Sequence, residues 1–334
     1  MSTPIRILFI TGNSRSGSTV LGAALNQING VFCAGEMQRI WDKGWLTDEC
    51  CSCGAPILSC SFWSPVFGQI IGSYDAKVAK ELRQARDSFV KLRGLPRLLT
   101  SHSLDSLPAN VRNYLAVTER LYRAIQEHVG CRLIVDTSKY PTYSYLLRLL
   151  PSLDIRIVHL VRDARATAYS WQRVKTYPTA KGTRYMERHT ALRSAAAWLI
   201  LNSLADLLWE RDSVRYMLIR YEDFVNQPRR TFRRILDHAG EPEAALPFIG
   251  EDAIDIRHHH IIAGNANRFR TGLVKLMLDD EWRHKLNLLD AVVVTLVTFP
   301  LLRKYGYWSQ ALKPATALLP ATPHRSINTD DWNQ

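Results

Sequence analysis

Two hydrophobic periods alternate along this chain of 334 residues. Residues 5–10 (Ile-Arg-Ile-Leu-Phe-Ile), 31–34, 132–136, 155–161 and 214–220 are short apolar runs of strand length. Between them, apolar residues recur every three or four positions. Val78, Leu82, Ala85, Phe89 and Leu92 form one helical stripe; Val111, Leu115, Thr118, Tyr122, Ile125 and Val129 form another. Further helices are predicted over 143–150, stopped by Pro151, and over 164–173, 190–209 and 228–239, the last opened by Pro228 and closed by Gly240. Strands alternating with helices predict an α/β fold of three layers, a central parallel sheet of about five strands flanked by helices. Residues 42–68 follow neither period, so 42–130 reads as a Cys-containing and helical insertion within one domain spanning 1–312. From 313 to 334 Pro, Ala, Thr and Asn dominate, the composition of a loose tail. The apolar stretch 291–302 is shorter than the ~20 residues a bilayer span needs and is interrupted by Pro300; it is expected as a buried helix.

The first strand runs into Gly12-Asn-Ser-Arg-Ser-Gly-Ser-Thr19, after which Val20, Leu21, Ala24 and Leu25 resume at helical spacing. Strand, Gly-rich loop and helix make a P-loop-like unit. Its backbone N–H groups converge on one point, and the positive end of the helix dipole adds to them. Gly12 and Gly17 have the Walker spacing, but Ser18 stands where a triphosphate-binding loop carries Lys, and Arg15 is the loop's basic residue. The loop therefore predicts an anion site for something other than the triphosphate of ATP. In parallel sheets ligands bind at the carboxyl ends of strands. Glu36, Asp136, Lys139 and Arg162 are expected there.

A net charge of +12 points to an anionic partner. The basic residues are scattered, with no run of five, which argues against nucleic acid and leaves peripheral membrane contact open. No N-terminal targeting pattern is seen, and the six cysteines are then expected as reduced thiols in a cytoplasmic protein.

Arg162 ends a predicted strand and Ser170 follows eight residues later, about two turns into the next helix. A guanidinium and a hydroxyl so placed can grip one phosphate; Asp163 offers Arg162 a structural ion pair instead. Together with the loop the pair becomes specific. Gly-Asn-Ser-Arg-Ser-Gly-Ser-Thr followed by Val-Arg-Asp-Ala-Arg-Ala-x-x-x-Ser resembles the sulfotransferase family that uses 3′-phosphoadenosine 5′-phosphosulfate (PAPS), in its bacterial carbohydrate-type branch. The resemblance implies that Asn13, Ser14, Arg15, Ser16, Gly17, Ser18 and Thr19 bind the 5′-phosphosulfate, with Arg15 touching the transferring group. It implies that Arg162 and Ser170 bind the 3′-phosphate, and that Glu36 is the catalytic base. Gly264-Asn-Ala-Asn-Arg-Phe-Arg resembles a Gly-Asn-Pro-x-Arg-Phe element of bacterial members, with Ala266 in place of Pro, so Asn267, Arg268 and Arg270 are expected to close over the nucleotide. The reaction so implied is transfer of the sulfuryl group of PAPS, as co-substrate, to an acceptor hydroxyl of a glycan or glycolipid. Lys139 and Ser138 are expected to assist at the reacting group, and no metal is required, because a sulfuryl group carries less charge than a γ-phosphoryl. As base, Glu36 is expected to have a raised pKa through partial burial.

Two other readings compete. In a P-loop kinase or NTPase, Asp136 would be the Mg²⁺-holding acid; the absent Lys and the Arg162–Ser170 pair speak against it. A non-catalytic binder of acidic polysaccharide has no use for a carboxylate such as Glu36 beside its anion. Cys50, Cys51, Cys53 and Cys60 are read as free thiols, as a disulfide, or as a thiolate metal site with Cys33 as fourth ligand. One of His258, His259 and His260 is a candidate to face the acceptor. Trp41, Trp45, Phe62, Trp63 and Tyr177 are either core residues or stacking faces for sugar rings.

Overall fold

The structure, a computed structural model, describes residues 3–71, 75–179 and 182–308; the tail expected over 313–334 lies outside the described residues. Strand β1 (Ile5–Thr11) leads to helix α1 (Ser18–Leu25) and strand β2 (Val31–Gly35). The insertion follows, with α2 (Trp63–Ile71), α3 (Ala76–Val90), α4 (Leu95–Thr100) and α5 (Ala109–Val129). Then come β3 (Leu133–Lys139), α6 (Pro141–Leu147), β4 (Leu153–Val161), α7 (Ala164–Gln172) and a hairpin of β5 (Thr176–Thr179) and β6 (Gly182–Tyr185). After α8 (Ala191–Trp209) and β7 (Tyr216–Arg220) the chain forms α9 (Tyr221–Asn226) and α10 (Pro228–His238). It then forms a small antiparallel sheet of β8 (Phe248–Ile249), β9 (Ala253–Ile256) and β10 (Gly272–Lys275), and ends in α11 (Trp282–Lys285) and α12 (Leu288–Lys304).

The central sheet has five parallel strands in the order β2-β3-β1-β4-β7. Alternation along β1 explains why Ile7, Leu8, Phe9 and Ile10 are apolar without a break. Ile5, Ile7 and Phe9 pack with Trp63, Leu82, Leu115 and Tyr143 of the insertion helices and α6, while Leu8 and Ile10 pack with α1, Phe224 of α9 and Phe232 of α10. A strand covered on both faces is apolar on both; Arg6, near the start of β1 and partly exposed, pairs with Glu241 at 2.6 Å. The chain proceeds from β1 toward β2 and β3 on one side and toward β4 and β7 on the other. A crevice therefore opens at the carboxyl end of β1, where such sheets bind ligands.

Two expectations need correction. Asp136 is not at a strand end, because β3 runs on to Lys139. Helix α12 forms, but only Val294, Thr298 and Leu302 are buried, whereas Leu288, Leu289 and Leu296 are 77%, 75% and 71% exposed. A helix that is apolar on all sides does not reveal which side will be covered; here α7 and α8 pack on one stripe alone. The hairpin and the small sheet leave no mark in the hydrophobic pattern, since strands of two to four residues are too short to show a period.

Candidate active site

The loop after β1 is shaped by two left-handed glycines. A Cβ on Gly12 (φ 125°) would lie 2.6 Å from the Leu160 carbonyl oxygen, and one on Gly17 (φ 93°) 2.6 Å from the Tyr221 ring. Arg15 between them is also left-handed at φ 69°, a conformation that a non-glycine residue adopts only when its surroundings impose it. No side chain caps the first turn of α1 and no acid stands in it, so its N–H groups and dipole remain available to an anion. Ser14, Arg15, Gly17, Ser18 and Thr19 line a cavity of about 690 Å³. Asn13 and Ser16 do not: both are buried beneath the loop, where Asn13 Nδ2 and Ser16 Oγ have no hydrogen-bond partner among the described residues.

Glu36 and Lys139 meet in this cavity. Glu36 follows β2, its N–H donating to the Ile262 carbonyl at 2.9 Å, and Lys139 ends β3. The Lys139 carbonyl accepts from Thr11 Oγ1 at 2.7 Å and from the Gly12 N–H at 3.0 Å, which ties it to the base of the anion loop. The Lys139 ammonium donates to Glu36 Oε1, and both groups are buried. Burial alone would raise the Glu36 pKa, but Lys139, Arg39 and Arg268 together hold it below the ordinary carboxylate value. The expected upward shift is thus reversed, because three cations surround the carboxylate.

Ser138 is corrected as well. Its hydroxyl donates to Asp136 Oδ1 at 2.5 Å and accepts from the Gln38 N–H at 2.9 Å, and it does not line the cavity. Asp136 is wholly buried, its carboxyl pushed up to about 6 by desolvation against the hydrogen bonds from Ser138 and from Tyr122 at 2.5 Å. These bonds fasten β3 to α5 and leave Asp136 no approach to a cavity-bound metal.

Arg162 at the end of β4 and Ser170 on α7 both line the cavity. Asp163 is not the partner of Arg162; it caps α7 and pairs with Arg165 at 2.6 Å. Instead Arg162 lies over the Tyr221 ring at 4.5 Å, and its Nη2 reaches the Asp279 carbonyl at 2.9 Å and the Asp279 carboxylate at 3.3 Å. That carboxylate also accepts from Arg173 Nη1 at 3.1 Å. A side-chain anion therefore stands between two guanidiniums, while Arg162 Nε is buried with no partner among the described residues.

Arg39, Arg173, Lys175 and Asp279 also line the cavity, and no motif had pointed to them. The basic pair just beyond the Arg162–Ser170 helix was the one available signal. Burial, reinforced by Arg173 and Arg15, lowers Lys175 to about 8. An anion bound nearby favours the protonated amine, so binding takes up a proton above that pH. Anion affinity should accordingly fall as pH rises through about 8, measured by titration calorimetry between pH ~7 and ~9. Lys175→Met should flatten this dependence.

Asn267, Arg268 and Arg270 line the opposite wall. Arg268 lies over Phe269 at 4.4 Å and donates to the Gly264 carbonyl at 2.9 Å. Asn265 Oδ1 accepts from the Asn267 N–H at 3.2 Å, closing the turn without a Pro at 266. The three consecutive histidines do not line the cavity. His259 Nε2 lies 2.9 Å from the Arg268 carbonyl, and His260 turns toward the cysteines. Trp41, Trp45, Phe62 and Trp63 are core, leaving Tyr177 alone of that set on the cavity. Cys33 packs with α1 on the other face of the sheet, so it does not join the remaining cysteines.

The model of the sulfotransferase family matches residues 65–245, more than half of the chain. No curated protein matches. Among solved structures, the sulfotransferase domain of the olefin synthase from Synechococcus PCC 7002 has 19% identity and a TM-score of 0.50, over 92% of this chain and 96% of that one. The sulfotransferase domain of the curacin biosynthetic pathway has 17% identity and a TM-score of 0.46, over 89% and 99%. Sulfotransferase STF9 of Mycobacterium avium has 14% identity and a TM-score of 0.44, over 91% and 77%. The first of these likenesses accords with the five-stranded parallel sheet and concerns the fold alone; the family match carries the assignment, and the chain belongs to the sulfotransferase family.

Proposed function

We propose that this protein moves the sulfuryl group of PAPS to an acceptor hydroxyl by in-line displacement, with Glu36 as general base. The observation that carries the reading is the buried Glu36–Lys139 pair, set in one cavity with the uncapped anion loop and with Arg162 and Arg173. Glu36 takes the acceptor's proton as its oxygen bonds to sulfur. The bond from sulfur to the 5′-phosphate oxygen breaks, and the electron pair leaves on that phosphate. The α1 N–H groups and Arg15 oppose the charge that develops there, as do donors aimed at phosphoryl groups. Lys139 exchanges part of its hold on Glu36 for the incoming anion, which makes the carboxylate a better base when donor is bound. At the far end the Asp279 carboxylate marks the seat of the 3′-phosphate, which Arg162, Arg173 and Ser170 would hold.

The acceptor we assign is a glycan or glycolipid hydroxyl. Tyr177 and Tyr185 of the hairpin line the cavity and offer ring faces to a sugar, and the exposed leucines of α12 suit a lipid-borne acceptor. A kinase reading is disfavoured by Ser18 and by the enclosure of Asp136.

Adenosine 3′,5′-bisphosphate should raise the melting temperature without added metal, and ATP with Mg²⁺ should do much less. A ligand at a hundred times its dissociation constant adds ~2.7 kcal/mol, which is easily detected. Equal or greater stabilisation by ATP would overturn the reading. Asp279→Asn removes the anion that competes for Arg162 and Arg173, so the bisphosphate should bind it roughly fivefold more tightly, about 1 kcal/mol for a partly exposed pair. Calorimetric titration of both proteins checks this.

A further inference from the structure

Cys51, Cys53, Cys60 and His260 bring one ligand atom each to a common point, all within 4.8 Å of one another. Cys53 Sγ lies 3.6 Å from Cys60 Sγ, and His260 Nδ1 lies 3.3 Å from Cys60 Sγ and 3.7 Å from Cys51 Sγ. Around a tetrahedral zinc ion, Zn–S bonds of about 2.3 Å and Zn–N bonds of about 2.0–2.1 Å put sulfurs about 3.8 Å apart and sulfur about 3.6 Å from nitrogen. The observed separations are of that size. A disulfide would need sulfurs about 2.0 Å apart and would leave a third thiol and the imidazole unused.

We propose that these four side chains bind one Zn²⁺ in a closed Cys₃His site. Three soft thiolates with one imidazole select zinc over hard cations, and binding releases the three thiol protons. The surroundings match such a site. Backbone N–H groups of Phe62 and Trp63 point at the Cys60 sulfur, and that of Ala55 points at Cys53. The His260 ring stacks on Phe62 with centroids 5.3 Å apart, and the His260 carbonyl accepts from Trp63 Nε1 at 2.9 Å, which fixes the imidazole's direction. Cys50 is outside the group, and its fourth member is His260 rather than the Cys33 of the metal-site alternative.

The ion fastens the start of the insertion to the segment leading into the cavity wall. Ser52 Oγ donates to the His259 carbonyl at 2.7 Å and its N–H to the Ile261 carbonyl at 3.1 Å. The next residue, Ile262, accepts from the Glu36 N–H. Zinc at this point therefore sets the position of Glu36 and of the turn bearing Arg268 without touching the reacting groups.

Metal analysis of the full chain, purified from zinc-supplemented culture without chelator, tests the proposal. Equimolar zinc is expected. Cys60→Ser and His260→Ala should lower zinc affinity by at least the roughly 10–100-fold that loss of an outer-shell partner costs. Cys33→Ala and Cys131→Ala should keep it. Should a ligand variant fail to fold, replacement of the metal by Co²⁺ in the unaltered chain serves, with tetrahedral ligand-field bands and thiolate-to-cobalt charge transfer expected. Protein without zinc and without those bands, zinc affinity unchanged by Cys60→Ser in competition with a chelator, or a mapped disulfide between any two of the three cysteines would each overturn the site. None of these readouts depends on nucleotide binding or turnover, so failure of the PAPS reading and failure of the zinc site are distinguishable.

Discussion

Glu36→Gln should lower turnover by ~10²–10⁴-fold per folded molecule, the usual contribution of a general base. The substitution keeps volume and removes basicity. It also leaves the Lys139 ammonium buried without its carboxylate, and breaking a buried pair in this way costs ~3–5 kcal/mol. The variant should therefore melt lower. Adenosine 3′,5′-bisphosphate should restore more stability to it than to the parent, because the ligand supplies the anion that Lys139 has lost. Turnover normalised to folded protein, with melting curves at several ligand concentrations, separates the two effects. A folded variant with near-normal turnover would remove Glu36 from the base role.

The pH dependence has a definite sign. The folded-state pKa of Glu36 is depressed by its cations despite burial. The stability it contributes is therefore present above the unfolded value of ~4.3 and is lost as pH falls through the lower folded value. The acid limb of kcat/KM, which reports the free enzyme, should lie below the ordinary carboxylate range. That of kcat should lie higher, because bound donor draws Lys139 away.

Arg162→Ala should weaken binding of adenosine 3′,5′-bisphosphate by ~1.5–3 kcal/mol, the range for hydrogen bonds to a charged group, or about 10–150-fold. Most of the preference for a 3′-phosphorylated nucleotide over one with a free 3′-hydroxyl should disappear. Arg173 remains, so the loss is incomplete. Paired titrations of adenosine 3′,5′-bisphosphate and adenosine 5′-monophosphate measure it. An unchanged preference would reduce Arg162 to the ion pair with Asp279 seen here.

Much of the scaffold could be read from residues alone, because local rules suffice for it. Strands β1 to β4 of the central sheet are buried on both faces or nearly so, and such strands announce themselves as apolar runs; the edge strand β7 is only partly buried. The anion loop was legible for a similar reason. Gly12 and Gly17 are required by backbone conformations that other residues avoid, and the absence of Lys at 18 is a fact about one position.

Charge balance was decided by the tertiary structure. Whether Glu36 would be raised by burial or lowered by cations depended on Lys139, Arg39 and Arg268, which come from different segments and meet only when β2, β3 and the 264–270 turn are assembled. The same holds for Arg162, whose partner is Asp279, 117 residues away, rather than its neighbour Asp163. It holds for the fourth side chain at the cysteine cluster, which is His260, about two hundred residues along the chain, and not Cys33. Apolar period and loop chemistry are set by a residue's immediate neighbours, so the order of residues determines them. A pKa, an ion pair or a ligand set follows from distances of a few ångströms across the chain, and only the folded packing fixes those.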